Sequence, residues 1–98
     1  MTTTAATLRS LLVDTYQRVL QLAEHIALDP YTPLRARRPE LLPLLRERLA
    51  YYQQLDPALA SVAELLTDLA LAREIQHEAE GNLQLVQALR SQDDVLTN

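Results

Sequence analysis

Apolar residues recur at helical spacing along most of the chain. Leu8, Leu12, Val19, Leu22, Ala23 and Ile26 form one stripe, which Leu11 and Leu20 widen, while Arg9, Asp14, Gln17, Arg18, Gln21 and Glu24 fall mostly off it. Thr4 and Thr7 are both candidate N-caps. Asp29-Pro30 ends the pattern, because a residue before proline avoids the α region. The spacing predicts a helix over about residues 5–28. A second stripe, Leu41, Leu42, Leu45, Leu49 and Tyr52, predicts a helix over about 40–55. Pro43 implies a kink there, or a helix that starts between Glu40 and Pro43. Between the two stripes, Asp29-Pro30-Tyr31-Thr32-Pro33 reads as a linker. A short helical turn is expected at Pro33–Arg37, with Thr32 as its cap.

The third stripe is the longest: Leu59, Val62, Leu65, Leu66, Leu69, Ala72, Ile75 and Ala79, continued by Leu83, Val86 and Leu89. Asp56-Pro57 marks its start, although Ser61-Val62-Ala63-Glu64 reads as a capping box one turn later. Gly81-Asn82 falls inside the stripe, and glycine within a helix costs about 1 kcal/mol relative to alanine. The expectation is a break, with helices over about 57–80 and 82–91, against the alternative of one helix running through Gly81. Residues 1–6 and the polar stretch 91–98 are expected to fray. The prediction is an all-α domain over residues 1–98, an antiparallel bundle of three or four helices.

Composition narrows this further. The chain has 98 residues, enough for one core. It has one Gly, no Phe, no Trp and no Cys, and twenty-two Leu build most of its apolar content. Without Cys there are no disulfides, thiolate nucleophiles or cysteine zinc sites. No apolar run reaches the roughly 20 residues needed to cross a bilayer, and Met1–Thr7 does not read as a signal peptide. A cytoplasmic location without membrane association is the expectation. Net charge is −4, which argues against a nucleic-acid partner.

Catalytic chemistry has little to draw on. Ser10, Ser61 and Ser91 lie in helical or tail contexts, and one glycine cannot build a phosphate-cradling loop. The expectation is a protein that is not an enzyme and carries no cofactor. Glu74-Ile75-Gln76-His77 is the one motif with metal-ligand spacing. With Glu24 it makes half of a di-metal site, which a symmetric dimer could complete. The competing view of Glu74 and His77 is a solvated polar face. Arg35-Ala36-Arg37-Arg38 is the sole basic cluster, a candidate contact for an acidic partner or phosphate, or simply a solvated loop. Tyr51-Tyr52 suggests one packed ring and one exposed ring suited to a binding surface. Adjacent leucines such as Leu41-Leu42, Leu44-Leu45 and Leu65-Leu66 cannot all face one thin core. That surplus predicts self-association as a homodimer, or binding of a partner helix.

The size, the amphipathic segment from Leu11 to Leu20, the Leu55-Asp56-Pro57 corner and the Leu-, Gln- and Glu-rich C-terminal half resemble the small helical export chaperones of flagellar and related type III secretion systems. That resemblance implies an apolar groove that takes a helical segment of a secreted partner and a last helix able to cover it. It further implies partner contacts for Ile75, Leu83, Leu85, Val86 and Leu89.

Overall fold

The computed structural model describes residues 4–97, which hold helices and no strand. Three long helices, α1 (Ala5–Leu28), α3 (Leu41–Gln54) and α4 (Val62–Thr97), are linked by the one-turn helix α2 (Leu34–Arg37) and a 3-10 turn at Pro57–Leu59.

Thr4 caps α1 by accepting from the backbone N–H of Thr7, so the earlier of the two candidate threonines fills the role. At the other end Asp29 leaves the helix with extended backbone, as its proline neighbour requires. Thr32 does not cap α2. It is buried, and its hydroxyl donates to the Ile26 carbonyl at 2.6 Å, which satisfies one of the last open acceptors of α1. Of the two expectations for Pro43 the later start holds: α3 begins at Leu41, so the proline falls in the first turn, where an N–H would have no helical partner. Asp56 and Pro57 open only the 3-10 turn, and Ser61 Oγ accepts from Glu64 N–H at the true start of α4.

The break expected at Gly81 is absent: α4 is one helix of 36 residues. Its inward positions Leu65, Leu69, Ala72, Gln76, Ala79, Leu83 and Val86 alternate steps of four and three. All are buried or half-buried, so buried contacts on both sides of Gly81 hold the helix together through its weakest residue. The tail expected to fray is also helical as far as Thr97; residues 1–3 and 98 lie outside the described residues.

The core joins Leu8, Leu12, Tyr16 and Val19 of α1 to Leu45 and Tyr52 of α3 and to Leu65, Leu69 and Ala72 of α4. Burying each of these leucines contributes about 2 kcal/mol. Tyr16 fills the gap in the α1 stripe between Leu12 and Val19 and stacks on Tyr52, with centroids 5.8 Å apart. Helix α1 is the common partner of the others. Arg9 donates to the carbonyls of Tyr52 and Gln53 at 2.8 and 2.7 Å, closing the end of α3. Glu24 meets Arg46 near the start of α3, and Arg18 meets Glu80 of α4. A 36-residue helix is about 54 Å long, and α4 accordingly sets the longest dimension of a body measuring 57 × 28 × 16 Å. The radius of gyration, 16.4 Å, exceeds the roughly 13 Å of a compact chain this size. A long, thin body exposes more apolar side chain than a sphere would: Leu44, Tyr51, Leu66, Leu71 and Leu85 are all 40% or more exposed.

Candidate functional site

Because α3 and α4 both pack on α1 and touch each other sparingly, a cleft of about 190 Å³ opens where α1, the α2–α3 corner and α4 meet. Val19, Ala23 and Ile26 of α1 form its floor. Leu41 and Leu45 of α3 make one wall, and Ile75 and Ala79 of α4 the other. Val19, Ile26 and Leu45 are almost out of reach of water, whereas Ala23, Leu41 and Ile75 are half-buried. The volume is below the 300 Å³ or more of typical small-molecule pockets. It suits apolar side chains presented by a helix.

The rim is polar and built by four residues, Arg37, Arg38, Glu78 and Asn82. Arg38 spans the cleft, reaching Glu78 on α4 at 3.4 Å while also donating to Glu40 at 3.2 Å. Its backbone is left-handed, φ 39° and ψ 59°, a conformation in which a residue with a Cβ is strained. The strain follows from its place just past α2, where glycine would be the usual choice. Glu40 sits below the ordinary carboxylate range, held first by a hydrogen bond from its own backbone N–H and then by Arg38. Arg37 donates from Nε to the Thr32 carbonyl at 3.1 Å, and Arg35 is exposed.

Of the residues singled out by sequence, Arg37, Arg38 and Ile75 come together in this cleft. Tyr51 does not. It is 53% exposed and lies farther along the α3–α4 seam with Arg48, Glu64 and Asp68. Tyr52 and Val86 are fully buried and cannot contact a partner, because an apolar or aromatic side chain on the stripe is core first. Tyr52 donates its hydroxyl to Asp68, and burial, reinforced by that carboxylate, pushes its phenol well above the usual range. Leu83 and Leu89 are half-buried on α4 beyond the cleft. The apolar lining residues of α1 and α3, Val19, Ala23, Ile26, Leu41 and Leu45, were not singled out for binding by sequence and carry no signal beyond ordinary helical spacing.

The metal half-site does not form within the chain. Among the described residues no three His, Cys, Asp or Glu side chains group as metal ligands. Glu24 instead faces α3, with Arg46 3.6 Å away. No described helix is long and apolar enough to cross a membrane.

Neither a family model nor a curated protein nor a solved structure matches the chain.

Proposed function

We propose that the chain is a non-enzymatic helical interaction module that receives apolar side chains of a partner helix in the cleft between the α2–α3 corner and α4. Its architecture on this view is an up-down-up bundle: Arg9 at the start of α1 lies against the end of α3, while Arg18 and Asp29 meet Glu80 and Arg90 in ascending order along α4. The observation that carries the proposal is the cleft itself, an apolar trough bounded by three helices and rimmed by charge. Exposed Leu44 and Leu71 extend the apolar surface on the walls: Leu44 is one turn from Leu41 and Arg48, and Leu71 one turn from Asp68 and Ile75. Chaperone, adaptor and small regulator are the roles such a module fills, and an export chaperone is the most specific of them. Action in the cytoplasm, without a nucleic-acid or membrane partner, belongs to the same proposal.

Photo-cross-linking tests it. A cross-linker placed at Asn82 on the cleft rim is expected to trap a protein partner in the source cell. The same group at exposed Gln21, outside the cleft, is expected to trap none. The purified partner should bind the wild-type chain and fail to bind Ile75→Arg. A partner trapped equally from both positions, or one indifferent to Ile75→Arg, overturns the proposal.

A further inference from the structure

The rim carries the basic run of this acidic chain. Net charge is −4 overall, yet Arg35, Arg37 and Arg38 stand together beside the cleft. The carboxylates facing them are Glu40 and Glu78, and both are already drawn onto Arg38. Glu24, the next acid along α1, faces Arg46. Arg37 has the Thr32 carbonyl as its partner, and among the described residues it forms no ion pair. The positive charge is therefore in excess at the α2 side of the cleft.

From this charge pattern, we infer that the occupant of the cleft is an amphipathic helix of another protein that carries acidic side chains beside its apolar stripe. The inference rests on the interaction module proposed above and adds the chemistry of its partner. Apolar side chains of the helix would enter between Leu41 and Ile75. Its carboxylates would meet Arg37 and take Arg38 away from Glu78, exchanging one ion pair for another at little net cost. The strained backbone of Arg38 is consistent with this: glycine would relieve the strain but would lose the charge that spans the cleft. A second copy of this chain is a poor match, since two chains of net charge −4 repel. A phosphate-bearing ligand would find the arginines but would leave the apolar floor uncovered.

Three synthetic helical peptides of about five turns, sharing one leucine stripe and differing only in acidic, neutral or basic flanks, provide the probe. Binding is read by fluorescence anisotropy at low and high salt. The acidic-flanked peptide is expected to bind at least about tenfold more tightly than the basic-flanked one, a gap that narrows as salt rises. The double variant Arg37→Glu, Arg38→Glu should reverse that order. Glu78→Gln leaves α2 untouched and releases Arg38 from α4 while its pair with Glu40 remains, so it should tighten binding of the acidic-flanked peptide. Equal binding of all three peptides, abolished by Ile75→Arg, would leave the module standing and overturn the charge inference. Binding of none would overturn both. A concentration-dependent dimer in sedimentation, dissolved by Ile75→Arg, would make a second copy the occupant and overturn the inference as well.

Discussion

Arg90, near the end of α4, donates to the carboxylate of Asp29, the residue that leaves α1 at the Pro30 corner. Asp29 is only 4% exposed, and its other oxygen accepts from the Tyr31 backbone N–H at 2.9 Å. The Arg90 guanidinium also lies over the Tyr31 ring, 5.4 Å from its centroid, and the Tyr31 hydroxyl donates to Asp93. One carboxylate thus ties the far third of α4 to the corner that ends α1.

This carboxylate gives the fold an acid sensitivity. The Tyr31 N–H, followed by Arg90, holds Asp29 below the ordinary carboxylate range. A depressed folded-state pKa contributes stability above the unfolded value of about 3.9 and loses it as pH falls through the folded value. Urea unfolding is expected to show a smaller drop in stability between neutral pH and about pH 3 for Asp29→Asn than for the wild type, and a lower starting value for the variant. Equal drops in the two proteins would remove Asp29 as the cause.

Gly81 offers a stabilising change. Its φ is not positive, and a Cβ built there meets nothing within 4 Å. Gly81→Ala is expected to raise stability by about 0.5–1 kcal/mol. Gly81→Pro should lower it by about 3 kcal/mol or more, since it would interrupt α4. Chemical denaturation of the two variants checks both signs. A destabilising alanine would mean that the glycine serves a conformation other than this continuous helix.

Tyr52 is the pivot between α3 and the other two helices: its ring stacks on Tyr16 and its hydroxyl donates to Asp68. Tyr52→Phe keeps the ring and is expected to cost about 1.5 kcal/mol, the contribution of a hydrogen bond to a charged acceptor. Tyr52→Ala should cost about 3–5 kcal/mol by opening a cavity. Burial and Asp68 raise the folded-state pKa, so this contribution is complete below the ordinary phenol range and fades as pH rises above about 10. The Tyr52→Phe deficit should accordingly shrink in strong alkali, and a constant deficit would count against the Asp68 bond.

Helix ends were legible in the sequence where one local interaction decides them, Thr4 with Thr7 and Asp29 with Pro30; α4 starts a turn later than Asp56-Pro57 suggests, because Ser61 with Glu64 competes as a cap. The break expected at Gly81 does not form because its local penalty of about 1 kcal/mol is overridden by contacts on either side, at Ala79 and Val86, that only the packed helices create. Tyr52 is the packed ring and Tyr51 the exposed one of the expected pair, whereas Val86, a partner contact by resemblance, is core, since spacing alone does not separate a core stripe from a binding stripe. The cleft needs Val19, Leu41 and Ile75 from three helices, and Asp29 with Arg90 needs residues 61 positions apart. Neither is a pattern along one helix, so neither could be read before the helices were packed.

Arg38 separates stability from binding. Its left-handed backbone favours glycine, while its two ion pairs, to Glu40 and Glu78, are exposed and screened by water. Arg38→Gly removes the Cβ strain and both pairs together, two small effects of opposite sign, so the unfolding midpoint is expected to stay close to that of the wild type. Arg38→Val also loses the pairs but places a β-branched residue in the same backbone, and its midpoint should fall clearly. If Arg38 is there for the partner, both variants lose the preference for acidic-flanked helices although only one loses stability. Unfolding curves and peptide titrations on the same samples decide the matter. A stable Arg38→Gly that still prefers acidic helices would show that the arginine serves neither purpose.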